Sequence, residues 1–317
     1  MSVIADIFDL SRGYTFVDGF VFKSLTEPAN IYDAIVIRNP CNADCLTPRV
    51  AKSTRTLCEH IEYINKNKID KAVIIAENID FILSCPTLEY LEIIPSDTVT
   101  EPFDYSSLYS LPNLKWFRFS HSQCHSDENR EQIDFGRLPN LDTLYLNAPE
   151  ISDGLKELVK LKALNVSEYK GDLSNLIFSK ALEELDIVNC KIKTLDGISF
   201  AESLSSLGLS YNRQLCDISE LAQVSKTLRI LSINACPKIT DFSVLTELSE
   251  LEHLELLGNN KIPDLSFLSK MKKLKTFTFS FDVLDGNLSY CLQLPYASCL
   301  RGRKHYNLKD RDLPHNY

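Results

Sequence analysis

Apolar residues recur along the middle of the chain in a short pattern, LxxLxL, which returns every 20 to 27 residues. Three segments superimpose clearly: LEELDIVNCKIKTLDGI from Leu182, LSSLGLSYNRQLCDISEL from Leu204 and LEHLELLGNNKIPDLSFL from Leu251. The pattern begins at Leu88, Leu114, Leu141, Leu161, Leu182, Leu204, Leu228, Leu251 and Leu274. Each copy predicts a short strand with one buried face, and the period predicts parallel strands stacked about 4.8 Å apart.

Position 9 of each copy lies where the chain turns away from its strand. A side chain there must satisfy backbone groups that no neighbouring strand reaches, which favours Asn or a small buried Cys. We therefore predict a structural ladder at this position, formed by Cys190, Asn212, Cys236, Asn259 and Asp282. A disulfide between Cys190 and Cys236 is not expected, because two repeat steps separate them by about 10 Å.

A second motif, DxSxL, follows on the return side of several copies. It begins at Asp104, Asp172, Asp217, Asp241 and Asp264. An Asp before an apolar turn accepts hydrogen bonds from the free N–H groups that open a short helix. Together the two motifs resemble leucine-rich repeat proteins of the bacterial internalin type over about residues 88–285. The resemblance implies an α/β leucine-rich repeat solenoid: a curved coil with a parallel sheet on its concave face, short helices or turns on its convex side, and terminal caps. It also implies that the sheet face binds a partner.

The N-terminal third predicts a more irregular version of the same architecture. Alternating aromatic residues around Asp18-Gly19 indicate a hairpin. A strand from Ile31, a helix capped by Thr47 with Pro48 in its first turn, and a strand from Lys71 follow. The helix should bury the face formed by Val50, Thr54, Leu57, Ile61 and Ile64. Two degenerate LxxLxL matches are expected, at Ile31, Ala34 and Val36 and at Ile69, Ala72 and Ile74.

These segments predict four parts: a cap segment at 1–30, helix-bearing degenerate repeats at 31–86, regular repeats at 87–285, and a C-terminal cap with a basic tail at 286–317. The tail carries Arg301, Arg303, Lys304, Lys309 and Arg311. We expect it to pair with acidic groups of its own chain, the alternative being an acidic partner or nucleic acid.

Charge and composition narrow the class of partner. The chain has 317 residues, a net charge of −9 and 44% hydrophobic residues, which disfavours nucleic acid as the main partner and provides ample core material. The first residues show no signal-peptide pattern, and no apolar run approaches a membrane span. Ten cysteines at positions that suit buried thiols favour a reducing compartment, so a cytoplasmic protein is expected. The resemblance to internalin-type repeats implies a bacterial source.

Motifs for catalysis are weak. The sequence has no GxxxxGK, GxGxxG, GxSxG or HExxH motif. The strongest alternative is His121-Ser-Gln-Cys124-His125, followed by Asp127 and Glu128, as a zinc site or a Cys–His pair, although a surface insertion is the default interpretation. Cys41 and Cys45 form a CxxxC without a second pair. We predict a non-enzyme without cofactor or metal.

Positions 3, 5 and 7 of each copy should form the exposed concave surface. From these positions we predict seven partner-binding residues: Tyr90, Trp116, Arg118, Tyr145, Glu184, Asp186 and Glu255. The aromatic residues and Arg118 would be the anchor, unless a cap or loop covers Trp116, and the acids would attract a basic protein. The function predicted is protein binding. The alternatives are an immunity or inhibitor protein that neutralises a toxin or enzyme, a scaffold, and a secreted or surface adhesin.

Overall fold

The computed structural model describes residues 14–23, 34–39, 53–96, 99, 103–119, 133–147, 154–176 and 179–316. The chain divides into two compact units, Met1–Tyr145 with Ser152–Gly154, and Leu146–Ile151 with Leu155–Tyr317. The predicted division at residues 30, 86 and 285 stays a prediction. Several predicted features lie outside the described residues: Cys41, Cys45, Thr47, Pro48 and the cluster at His121, Cys124 and His125.

The strands of the first unit form a sheet that begins with an antiparallel hairpin and continues with parallel strands. Its elements are β1 (Tyr14–Val17), β2 (Phe20–Lys23), β3 (Ala34–Asn39), α1 (Leu57–Asn67), β4 (Lys71–Ala76), β5 (Tyr90–Pro95), β6 (Trp116–Phe119) and the first part of β7 (Thr143–Asn147). The predicted hairpin is confirmed: Asp18 and Gly19 form its turn with φ of 51° and 85°, the left-handed conformation that such turns require. Strand β2 pairs antiparallel with β3, and β3 to β7 pair in parallel.

Helix α1 begins later than predicted. Thr56 is its N-cap and accepts from the N–H of Glu59, whose carboxylate accepts in turn from the N–H of Thr56. This capping box supplies partners for the first turn, so the helix begins at Leu57 rather than near Thr47. Thr54, predicted on the buried helical face, therefore precedes the helix and is exposed. The helix ends at Lys68, which adopts the left-handed conformation with φ of 53°.

The predicted register of β3 is wrong by one residue. Ile35 and Ile37 pair with Ala72 and Ile74, so they share the inward face that we had assigned to Ala34 and Val36. The error has a physical cause: both faces of β3 and β4 are buried, and a continuous apolar run has no alternation to reveal its register.

The second unit repeats one strand and one turn. Its strands are β8 (Ala163–Ser167), β9 (Glu184–Val188), β10 (Ser206–Ser210), β11 (Ile230–Asn234), β12 (His253–Leu257), β14 (Thr276–Phe279) and β16 (Tyr296–Cys299), paired in parallel, with a short pair of β13 (Lys261–Ile262) and β15 (Asp282–Val283) beside them. Pairing from β8 to β16 keeps each repeat in register, and Leu185, Leu207 and Leu231 align on the buried face. The predicted stacking is confirmed.

The return segments are short 3-10 helices, and the DxSxL motif opens four of them as predicted, whereas the side chain of Asp172 accepts no capping hydrogen bond from the described residues. The carboxylates of Asp217, Asp241 and Asp264 each accept from the N–H two residues later, at 2.7 to 2.8 Å. Hydrogen bonds from the N–H and the hydroxyl of the serine at that position hold the pKa of each of the three carboxyls below its usual range, and for Asp264 the hydroxyl of Ser266 contributes most.

Three of the predicted ladder residues occupy the ladder position, and two do not. Cys190, Asn212 and Cys236 are buried; Asn212 accepts from the N–H of Cys190 and donates to the carbonyl of Ile187, both at 2.8 Å. In the repeat from Leu251, Gly258 adds one residue, so Asn260 takes the ladder position and donates to the carbonyls of Cys236 and Ile239. Asn259 is exposed instead.

In the next repeat the shift runs the other way, and Phe281, one residue before the predicted Asp282, takes the ladder position. The short pair of β13 and β15 aligns Lys261 with Asp282, which places Phe281 beside Asn260. Phe281 is fully buried and its ring lies 5.3 Å from that of Phe242, centroid to centroid.

The last residues pack on the final strand of the second unit. Tyr296 forms an antiparallel bridge with His315, and the carboxylate of Asp310 accepts from the N–H of Cys299 at 2.6 Å. Arg303 contacts the carboxylate of Asp282 at 3.4 Å. The tail thus pairs in part with acidic groups of its own chain.

Candidate functional site

The outward face of the first unit is closed around Trp116. This residue is only 5% exposed and belongs to a buried cluster on the face opposite the leucines: Val21, Ala34, Val36, Val73, Ile75 and Trp116. Tyr90 and Tyr145 pack against the cluster, and the rings of Trp116 and Tyr145 lie 5.3 Å apart, centroid to centroid. Neighbouring strands bring the predicted anchor residues together, since Tyr90 aligns with Trp116 and Arg118 with Tyr145.

The exposure expected of Trp116 is therefore wrong, and the alternative that it is core holds. Trp116 lies on the outward face, as its position in the repeat predicts. However, β3 and β4 carry valine and isoleucine side chains on the same face, and these side chains bury Trp116. Arg118 remains half-buried with its guanidinium 5.5 Å from the centre of the Tyr145 ring. A role for these four residues in binding a partner stays a prediction.

Glu92 explains how this face tolerates charge. It is 5% exposed, and its carboxylate lies 3.3 Å from the Lys23 ammonium and 3.8 Å from Nε of Arg118. Lys71, on the next strand, lies 5.5 Å from the centre of the Tyr90 ring. The charged groups of this surface thus have partners within the unit, as burial requires.

The outward face of the second unit is open by contrast. Outward and inward residues alternate on β8, β10, β11 and β12 as half-exposed and buried positions. The central outward row consists of Asn165, Asp186, Gly208, Ser232, Glu255, Thr278 and Ser298. We call this surface, with the flanking rows through Glu184 and Val188, the outward strand face.

Three carboxylates on this face have no cation beside them. Glu184, Asp186 and Glu255 form no ion pair with a lysine, arginine or histidine of the described residues, and the outward positions of β8 to β12 contain no lysine or arginine. Acids immediately before the strands behave differently: Glu183 lies 3.2 Å from Lys162, and Glu252 lies 3.1 Å from Arg229. The three acids on the face thus lack the ion pairs that these neighbouring acids form.

Asp186 leans over its neighbour strand. A β-carbon at Gly208 would collide with Oδ1 of Asp186, so the carboxylate fills the space that the glycine leaves. Burial raises the pKa of Asp186, and the nearby Glu184 raises it further, while a hydrogen bond from Asn165 opposes them. Such a carboxylate gains from an incoming cation, because the cation removes the cost of the buried charge.

Glu255 leans the opposite way, toward β11. Its Oε2 accepts from the hydroxyl of Ser232 at 3.1 Å. Beside it on β12, Nδ1 of His253 lies 2.8 Å from Oγ1 of Thr276. Ile230, on β11, is 44% exposed and lies in the flanking row that contains Glu184.

Sequence reasoning missed the residues that position the acids. Gly208, Asn165 and Ser232 were expected to be exposed but were assigned no role. The sequence could have revealed two of these residues, because the repeat register aligns Asn165 with Asp186, and Ser232 with Glu255.

The described residues offer little for metal or thiol chemistry. No group of three His, Cys, Asp or Glu side chains within them could hold a metal ion. Burial raises the pKa of the ladder thiols Cys190 and Cys236 to about 11, so these cysteines stay protonated. No helix within the described ranges is both apolar enough and long enough for a membrane crossing.

Comparison with solved structures identifies the fold. The chain aligns with the Toll–Spatzle complex of Drosophila at a TM-score of 0.57 and 12% identity, over 90% of this chain and 44% of that one. The fold is a leucine-rich repeat solenoid. An internalin of Listeria monocytogenes aligns at a TM-score of 0.42 and 21% identity over 76% of this chain and 82% of that one. A leucine-rich repeat protein of Leptospira interrogans aligns at 0.37 and 14% identity over 83% and 85%.

The repeats of this leucine-rich repeat chain have the internalin-type build predicted from the sequence. From β4 onward, the parallel strands are followed by short 3-10 helices, and several of these helices open on an Asp. No family model matches the chain, and no curated protein matches it.

Proposed function

We propose that this chain is a non-enzymatic protein-binding module, and that the outward strand face of its second unit binds a basic protein. One observation carries the proposal: Glu184, Asp186 and Glu255 lie on an accessible surface without a cation among the described residues. Unpaired carboxylates on a binding face steer a positively charged partner and select against acidic ones. Leucine-rich repeats serve protein binding elsewhere, as in the complex of Toll with Spatzle.

The geometry favours arginine as the group that the face recognises. Three strand steps separate the backbones of Asp186 and Glu255, or about 14 Å. Each carboxylate leans inward by about one strand, over Gly208 and toward Ser232, which leaves a gap of roughly 5–9 Å between them.

A guanidinium fits that gap better than an ammonium. The guanidinium fork donates from opposite ends to acceptors about 7–8 Å apart, whereas one ammonium nitrogen spans only about 5.6 Å, twice a hydrogen-bond length. Exposed Ile230 borders the row and offers apolar contact to the stem of the side chain.

We place the module in a reducing compartment, the cytoplasm. The cysteines among the described residues are free thiols, including buried Cys85, Cys190, Cys236 and Cys291. Unpaired buried thiols are typical of proteins kept in a reducing environment.

A charge-matched pair of variants tests the binding face. In one variant, Glu184→Gln, Asp186→Asn and Glu255→Gln neutralise the face. In the other, Glu183→Gln, Glu202→Gln and Glu250→Gln remove the same charge from exposed ion pairs with Lys162, Lys180 and Lys273. Each is used to capture proteins from a lysate of the organism that encodes the chain, followed by mass spectrometry.

We expect a basic protein to be captured by the wild type and the ion-pair variant and lost with the face variant. Equal capture by all three would contradict the proposed face. The preference for arginine is tested separately, by replacing the contacting arginine of the captured protein with lysine. Unchanged affinity would contradict the preference for arginine while still supporting a basic partner.

A further inference from the structure

His60 lies at the junction between helix α1 and the β1–β2 hairpin of the first unit. It is 1% exposed, and its ring meets Phe20 of β2 edge-on at 5.1 Å, centroid to centroid. Phe20 also packs on Tyr63 of the helix at 4.2 Å. The junction is thus an aromatic contact with one titratable ring inside it.

The protonation state of that ring follows from its contacts. Nδ1 lies 2.7 Å from the carbonyl oxygen of Thr56, an acceptor, so Nδ1 carries the proton. Nε2 is buried and has no hydrogen-bond partner in the described part of the chain. The neutral ring fits this site, whereas protonation at Nε2 would place an N–H and a positive charge where nothing receives them.

The groups that face the ring do not supply the missing partner. On the helix, Glu59 favours the charged form, but its carboxylate is held by Thr56 and by Arg55 at 2.9 Å. The Arg55 guanidinium lies 5.5 Å from the centre of the Phe20 ring and opposes a second positive charge. From the hairpin, Asp18 is exposed at the turn, and Lys23 reaches the opposite face of the sheet to pair with Glu92. On the inward face of β3, the residues are Ile35 and Ile37.

Among the described residues, the Phe22 ring also lies 6.2 Å from that of Tyr63, and the hydrogen bonds between the hairpin and the segment before the helix lie at the hairpin turn. The carbonyl of Gly19 accepts from the N–H of Thr54 at 3.1 Å and from the hydroxyl of Ser53 at 2.8 Å. Nε of Arg55 donates to the carbonyl of Asp18 at 2.7 Å. These bonds lie at the surface, so the buried aromatic contact around His60 supplies the apolar part of the docking.

We propose that His60 is a proton-sensitive latch: when neutral it holds the β1–β2 hairpin on helix α1, and when protonated it releases the hairpin. Release that also separates β2 from β3, which pair at Phe22 and Ile35, would uncover the strand edge of β3. The device would therefore adjust how the first sheet of the chain ends, independently of the binding face on the second unit.

The direction and the size of the pH effect on hairpin docking follow from proton linkage. Burial lowers the pKa of His60 below its ordinary 6.5. The released form takes up protons with the ordinary pKa and the docked form resists them, so docking is intact above 6.5 and weakens as pH falls below it. Between pH 7.5 and 5.5, a ring of pKa 6.5 in the released form raises the equilibrium constant for release by up to about tenfold, the full factor applying when the docked ring takes up no proton in this range.

Hydrogen exchange of the full chain, measured by mass spectrometry and corrected for the intrinsic pH dependence, tests the latch. Protection of residues 14–23 and 57–67 should fall by up to about tenfold from pH 7.5 to pH 5.5, while β10 to β12 keep theirs. In the variant His60→Phe, which retains a ring against Phe20 and cannot titrate, the fall should disappear. The same fall in the variant, or an equal loss over β10 to β12, would overturn the proposal.

A second measurement serves if His60→Phe does not fold. The imidazole signals of the six histidines in the wild-type protein are followed by NMR from pH 8 to 5. The signal assigned to His60 should titrate below 6.5 together with the loss of hairpin protection. A His60 pKa at or above 6.5 would overturn the latch.

Discussion

Oδ1 of Asp186 lies where a β-carbon of Gly208 would be, so the carboxylate of one strand rests on the bare backbone of the next. Gly208 pairs directly with Asp186 in the parallel sheet. A glycine within a strand weakens it in general, since it packs nothing. Here the missing side chain makes room for an acid that leans toward the middle of the outward strand face.

Gly208→Ala should therefore displace the carboxylate without unfolding the chain. Because the Asp186 side chain can rotate away from the methyl group, we expect little change in stability and a few-fold weaker binding of the captured basic partner. Titration calorimetry measures the affinity, with Ser206→Ala on the same strand as the control. Equal affinities for both variants would show that the position of the Asp186 carboxylate is irrelevant to binding.

Two adjacent asparagines should differ sharply in their contribution to stability. Asn260 is buried and donates to two backbone carbonyls, so Asn260→Ala leaves these groups without a donor and should cost about 2–3 kcal/mol. Asn259 is exposed, and Asn259→Ala should cost less than about 0.5 kcal/mol. Urea unfolding midpoints give both values, and the reverse order would restore the ladder register predicted from the sequence.

Trp116 should behave as a core residue. Trp116→Ala removes a large buried ring and should destabilise the first unit by about 3–5 kcal/mol. Trp116→Phe should cost less, because the buried indole N–H has no acceptor to lose among the described residues. Thermal unfolding followed by circular dichroism compares them with the control Ile230→Ala, whose side chain is 44% exposed. Weaker partner binding by Trp116→Ala at full stability would instead support the anchor predicted from the sequence.

The turn aspartates should make stability fall in acid. Each folded-state pKa lies below the ordinary 3.8, so the contribution of these residues is complete above that pH and is lost as pH falls through the folded values. Asp217→Asn, Asp241→Asn and Asp264→Asn combined keep an oxygen acceptor but cannot titrate. Unfolding midpoints from pH 6 to pH 3 should therefore decline less steeply in this variant than in the wild type, and parallel curves would contradict the prediction.

The predicted and observed sites differ where local signals conflict with long-range packing. The outward position of Glu184, Asp186 and Glu255 could be predicted because buried and exposed residues alternate along their strands. A position in the repeat therefore indicates a face of the sheet. Trp116 occupied the same kind of position and was misjudged, because the valines and isoleucines that enclose it belong to distant strands. Gly258 shifted the ladder by one residue, since an inserted glycine changes the count without changing the leucine pattern.

The sequence by itself determined the repeat. The leucine spacing, the Asp that opens several turns and most of the ladder act over a few residues and recur, so every copy strengthens the same inference. The tertiary structure decided which outward surface is closed and which is open, where Asp186 and Glu255 point, and that His60 lies inside a contact. These properties depend on what faces a side chain from elsewhere in the chain. The local alternation of apolar and polar residues predicts which face of a strand is buried in the core. Whether the other face is also buried, and where a carboxylate on it points, depends on neighbours that only folding brings together.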